Sequence, residues 1–144
     1  MNRRRRKKLQ DRLVGAAGFD DVRRIAELLR AGADPNLPDP AGTRPLYRAS
    51  VQNRSDNVRA LLTAGADPNL ESGTGDEGLP LCAAACWGHT AIVRELLAAG
   101  ADPNLREDNG DGRTATQWAA AGEHHDTLEH LLAAGGTPDP SPHP

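Results

Sequence analysis

Gly32-Ala33-Asp34-Pro35-Asn36 returns along this chain as Gly65-Ala66-Asp67-Pro68-Asn69 and as Gly100-Ala101-Asp102-Pro103-Asn104. A decayed copy, Gly135-Gly136-Thr137-Pro138-Asp139, closes the series. The copies lie 33, 35 and 35 residues apart, and a leucine pair precedes each: Leu28-Leu29, Leu61-Leu62, Leu96-Leu97, Leu131-Leu132. Self-similarity at such a period marks a repeat architecture.

Each copy reads as a helix stop followed by a reversal into an extended loop. Glycine takes the left-handed conformation that ends a helix without a Cβ penalty. A residue before proline is pushed to extended geometry, so Asp34, Asp67 and Asp102 cannot continue a helix. Asp and Asn side chains also bond nearby backbone groups and favour turns.

Composition narrows the architecture. With 144 residues, the chain has the length of one ordinary domain. Apolar residues make up 38% but aromatics only 3%, so the core must come from Leu, Ala, Val and Ile. That suits thin layers of closely packed helices. Net charge is −3, unevenly spread: residues 3–8 are six consecutive cations, and without them 11 basic residues face 20 acidic ones, about −9. Two cysteines, Cys82 and Cys86, give no framework of several bridges and point to a reducing compartment. No apolar run approaches the roughly 20 residues that cross a bilayer. Leu9-Gln10-Asp11-Arg12 interrupts any signal core behind the cations, so a cytoplasmic protein is expected.

The expected elements follow in order. Residues 1–8 form a basic arm, and an array covers residues 9–137 with units at about 9–38, 39–72, 73–107 and 108–137. Residues 138–144 form a Pro-rich disordered tail. Leu9, Leu13, Ala16 and Ala17 sit at helical spacing, with Gly18 as a stop. Asp20-Asp21 opens the next helix, whose apolar face is Val22, Ile25, Leu28 and Leu29. Pro45 suits the first position of a helix, Asn53 supplies a left-handed turn, and Ser55-Asp56 starts a helix that buries Val58, Leu61 and Leu62. Pro80 begins a helix that Gly88 ends, and residues 90–99 make its partner. Thr114 caps a helix running to Ala121, and residues 126–134 make the last one. No hairpin can bury its apolar stripe alone, whereas four stacked side by side can.

At this point the chain resembles the ankyrin repeat, over about residues 9–139. The family's units run about 33 residues, with a turn, two helices and a Thr-Pro-Leu-His-x-Ala signature. The best copies are Arg44-Pro45-Leu46-Tyr47-Arg48-Ala49 and Leu79-Pro80-Leu81-Cys82-Ala83-Ala84. Gly88-His89 and Ile92-Val93 also fit. The departures matter: the capping Thr is Arg44 in unit two and Leu79 in unit three, at a typical cost of about 1 kcal/mol each. The family's His is replaced by Tyr47, Cys82 and Gln117. Unit four keeps Thr114 but places Ala115 and Thr116 where Pro and Leu are expected, so a hydroxyl enters a core position and this unit should be the loosest. Unit one lacks the signature, as an N-terminal cap can. The fold so implied is an all-α solenoid of about four helix-turn-helix units with protruding β-turn fingers.

The resemblance implies a protein-binding surface on the concave face and loop tips. Carried over by position, the tips are Pro40, Ala41 and Thr43, then Gly75, Asp76 and Gly78, then Gly110, Asp111 and Arg113. The helix positions are Phe19, then Tyr47, Arg48, Val51 and Gln52, then Cys86 and Trp87, then Ala121. Phe19 and Trp87 occupy the same place in their units, and exposed aromatics anchor interfaces. The alternative is that Trp87 folds onto a neighbouring helix. Trp118, one turn earlier, is expected in the core. Glu71, Asp76, Glu77, Glu107, Asp108 and Asp111 make the loops acidic and would steer a basic partner, unless they are simply solvated tips.

Other constellations carry less. Cys82, Cys86 and His89 sit close, but zinc usually needs four ligands and no fourth is evident. His124, His125 and His130 fit a solvated helix face. Asp108-Asn109-Gly110-Asp111-Gly112 lacks the spacing and closing Glu of a calcium loop. Ser50, Ser55 and Ser72 lack a nucleophile motif, and Lys7 and Lys8, the only lysines, follow no phosphate loop. No enzyme, metal or cofactor is expected. The basic arm raises nucleic acid as the alternative partner, opposed by the −9 behind it, unless it is simply a solvated helix start or a flexible tail. No apolar anchor supports a membrane role. A monomer binding another protein is the expectation.

Overall fold

The computed structural model describes residues 2–138. They form four helical hairpins: α1 (Arg3–Ala17) with α2 (Val22–Arg30), α3 (Pro45–Val51) with α4 (Ser55–Thr63), α5 (Pro80–Cys86) with α6 (Thr90–Ala98), and α7 (Ala115–Ala121) with α8 (His125–Ala133). A single 3₁₀ turn spans Asp108–Gly110, and the extended pairing is one bridge, Ser72 with Gly78. First helices pack in the sequence α1, α3, α5, α7, and second helices in the sequence α2, α4, α6, α8. The chain is therefore a two-layer stack in which each hairpin touches its neighbours.

The repeated glycines end the second helices as their chemistry predicts. Gly32, Gly65, Gly100 and Gly135 have φ of 109°, 100°, 97° and 99°. In each, the following amide closes back on the leucine five residues earlier, as Ala33 N–H to Leu28 O at 3.0 Å. Between the helices, Asn53, Gly88 and Glu123 take the left-handed turn at φ of 60°, 71° and 58°.

Leu28, Leu61, Leu96 and Leu131 line up in one apolar cluster with Leu13, Ile25, Val58, Ile92 and Val93. Ala17, Ala49, Ala84, Ala85 and Ala119 fill the first layer, where small side chains let helices approach closely. Leu29, Leu62 and Leu97 are half-buried against this core, whereas Leu132 is exposed. Val22 differs from expectation: as the first residue of α2 it is 42% exposed, outside the apolar stripe. The six cations also differ. They are the first two turns of α1, begun by the Asn2 side chain accepting from Arg5 N–H, not an arm apart from the array. Of the expected Pro-rich tail, residues 139–144 lie outside the described residues.

Side-chain ladders fix the register between units. Asn36 donates to Gly65 O at 3.0 Å and accepts from Asp67 N–H at 2.6 Å. Asn69 repeats this with Gly100 and Asp102, and Asn104 with Gly135 and Thr137. The preceding Asp holds each Asn in place, as Asp67 accepts from Asn69 N–H at 2.9 Å. At the head of the array the buried Gln10 of α1 takes this role, accepting from Asp34 N–H and donating to Asp34 O and Leu37 O.

The missing cap threonines are partly replaced from the following finger. Thr114 and Gln117 form a complete capping box on α7. On α3 and α5 no side chain of the same helix caps. Instead Ser72 accepts from Arg44 N–H at 2.8 Å, and Glu107 from Leu79 N–H at 3.3 Å. Thr116 is fully buried and its hydroxyl has no partner among the described residues, the flaw anticipated for unit four.

Candidate partner-binding face

The C-terminal ends of the first helices present one residue per unit in a row: Phe19, Gln52, Trp87 and Gly122. Phe19 is 69% exposed and Trp87 63% exposed, with the exposed Gln52 between them in the row. Trp87 therefore stands outward and does not fold onto a neighbour. Gly18 lies against the Arg48 and Gln52 side chains, so Phe19 emerges beside them.

Three homologous contacts hold this row. The residue capping each second helix reaches back to the end of the preceding first helix. Arg54 donates to Gly18 O at 3.1 Å, His89 bonds the Val51 carbonyl, and His124 lies 3.0 Å from Cys86 O. Asn57 adds a fourth, its buried amide donating to Ala17 O and Phe19 O. These side chains satisfy carbonyls that helix ends leave orphaned and fix the backbone that carries the aromatics. They were not foreseen. The signal available was a donor-bearing side chain, Arg54, His89 and His124, at a period of 35 residues.

The fingers are tied to one another. Gly73 N–H donates to Gly42 O at 2.8 Å. Among the expected tips, Pro40, Ala41, Gly75, Asp76, Gly110, Asp111 and Arg113 are exposed. Thr43 is a correction: it is buried, its hydroxyl donating 2.8 Å to Glu77, whose carboxylate also accepts from Ser72. Gly78 is buried as well, with Glu107 over it. On the helices, Tyr47, Arg48, Val51 and Cys86 are half-buried and Ala121 is exposed.

Trp118 packs against the core as expected, but only in part. It is half-buried at the edge of a cleft of about 200 Å³ between the second and third fingers. Its indole N–H donates 3.0 Å to Glu107, and Arg113 lies 4.9 Å above the ring. Burial pushes the Glu107 carboxyl above its ordinary range, while bonds from Trp118, the Leu79 amide and the Cys82 thiol pull it back. Of the six acidic loop residues, Glu77 and Glu107 are thus turned to structural use, while Asp76, Asp108 and Asp111 face solvent. Tyr47 is raised by burial first and then by Glu77, Glu107 and Asp76, which places it beside the same acidic cleft. Burial raises both cysteine thiols, making them poor nucleophiles.

Residues 71–141 match the family model described as ankyrin repeats (3 copies). The chain is an ankyrin-repeat protein. The hairpins α1–α2 and α3–α4, which lie wholly before that match, carry the same stack, glycine turns and ladders. No curated protein is matched by the chain. Ankyrin repeats are generally protein–protein interaction modules. No helix among the described residues is long and apolar enough to cross a membrane.

Proposed function

We propose that this ankyrin-repeat protein is a non-catalytic, cytoplasmic module that grips a partner protein across the first-helix face and the finger tips. The observation that carries this reading is the pair of aromatics, Phe19 and Trp87, held outward on rigidly tied backbone. Aromatic anchors bury large area with few rotamers lost and dominate interface energies. Tyr47, Arg48, Val51, Gln52 and Cys86 supply the surface around them, and Asp76, Asp111 and Arg113 its polar rim. The exposed carboxylates favour a partner with a basic surface.

A photo-crosslinking residue at position 87 should trap a defined partner, which the same residue at the exposed Arg94 on α6 should not. Substituting Phe19→Ala and Trp87→Ala together should abolish capture of that partner while leaving the helical circular dichroism unchanged. Equal crosslinking from positions 87 and 94, or capture that survives the double substitution, would refute the assignment.

A further inference from the structure

The N-terminal end of the array carries a second surface of opposite character. Residues 3–8 wind through the first two turns of α1, all exposed, with no acidic residue in the first turn. Cations there face the positive pole of the helix, and Arg3/Lys7 and Arg4/Lys8 are like-charge pairs four residues apart. Among the described residues none of the six makes an ion pair. The Asn2 cap and Asp11, one turn on from Lys7 and Lys8, offset this arrangement only in part. The helix start is thus electrostatically incomplete, and an anionic counterpart would complete it.

Beside it lies a groove of about 640 Å³ between α1 and the first finger. Arg6 and Lys7 line one wall, and Leu37, Pro38 and Pro40 the other. Leu37 is 52% exposed, although Gln10 pins its carbonyl to α1 and so holds the two walls together. Two carboxylates also border the groove, and both are engaged in local turns. Asp34 accepts from Asn36 N–H, and Asp39 from Ala41 N–H and Thr43 N–H. Neither pairs with Arg6 or Lys7 among the described residues. Both stay anionic, and they repel a densely charged phosphate backbone more than a segment whose carboxylates alternate with apolar residues. An exposed leucine between prolines gives such a backbone nothing to gain.

We infer that this groove docks an acidic peptide segment of a partner, which seats an apolar side chain among Leu37, Pro38 and Pro40 and sets carboxylates against Arg6 and Lys7. The site is separate from the aromatic row and of opposite charge preference. It lets one array hold an acidic segment at its end while its fingers face a basic surface.

The test is fluorescence polarisation on the full chain with a labelled peptide of about 12 residues alternating Glu or Asp with Leu or Phe. Comparators are an oligoglutamate and a single-stranded oligonucleotide of the same length. The mixed peptide should bind saturably, about tenfold tighter than either comparator, and weaken as salt rises from roughly 50 to 200 mM. Charge reversal by Arg6→Glu with Lys7→Glu should cost about tenfold or more, and Leu37→Ser about tenfold. The pair Phe19→Ala and Trp87→Ala should leave binding unchanged. All these positions are exposed, so a matching thermal melt confirms folding of each variant. The inference is overturned if no saturable binding is seen, or if the oligonucleotide binds as tightly as the peptide. It is equally overturned if Leu37→Ser has no effect, since the attraction would then be charge alone.

Discussion

Replacing Asn69 by Ala tests whether the asparagine ladder contributes to cohesion between units. The side chain makes two inter-unit bonds, to Gly100 O at 3.1 Å and from Asp102 N–H at 2.8 Å. A neutral hydrogen bond contributes about 0.5–1.5 kcal/mol net. Both bonds lie at the surface, so water can reach the freed groups and no buried orphan is left. The loss should therefore fall in the lower half of the summed range, about 1–2 kcal/mol. For a chain of this length that lowers the melting midpoint by about 3–8 °C. Amide hydrogen exchange gives the site-specific reading: protection at Asp102 should fall, while the Asp67 amide, held by Asn36, should keep its rate. Unchanged exchange at Asp102 together with an unchanged midpoint would show that the apolar seam alone holds the units in register.

Three further outcomes follow from the same structure. Thr116→Val keeps the shape of a fully buried side chain and removes an unpartnered hydroxyl, so it should stabilise by about 1 kcal/mol and raise the melting midpoint. Leu79→Thr restores the family's capping residue, worth about 1 kcal/mol, but forfeits a buried leucine worth about 1.5–3 kcal/mol. With Leu79 only 6% exposed, the net should be a loss of about 0.5–2 kcal/mol, read as a lower urea midpoint. His89 is held below the ordinary imidazole value of about 6.5, first by burial. Its folded form binds the proton less readily than the unfolded chain, so this stability is fully present above about pH 6.5 and is lost as pH falls towards the folded value. His89→Gln should reduce the difference in urea midpoint between about pH 7.5 and about pH 5.5.

What could be read from the chain was what depends on local chemistry. Gly32, Gly65, Gly100 and Gly135 announced their left-handed turns because no other residue takes that conformation so readily. Pro45 and Pro80 marked helix starts for the same kind of reason. What escaped depends on partners about one repeat away. Asn36 and Asn69 were legible as turn formers, but their side chains serve the next turn, 29 to 33 residues on. Thr43 looked like a solvent-facing tip because its cover, Glu77, comes from the following finger. Trp118 was legible as core, against which it packs, but its other contacts, the indole N–H on Glu107 and Arg113 over the ring, appear only when a finger folds over the helix. The cations at residues 3–8 read as a basic arm or a solvated helix start, and the Asn2 cap that makes them the latter is a single local bond. Phe19 and Trp87 were legible as outward residues because their register is fixed by the repeat itself.

Gln10 carries a consequence for assembly. A structure made by adding like upon like has no intrinsic length, and a vacant dock at its head invites another copy to join. Here the Asp34 amide that a further asparagine would engage is already occupied from within the same polypeptide. Gln10 also ties down the carbonyls beside it, at Asp34 and Leu37. The polar half of a dock for a like unit is thereby used up within the polypeptide, and what the groove beside it still offers is charge and apolar surface, which a like unit does not match.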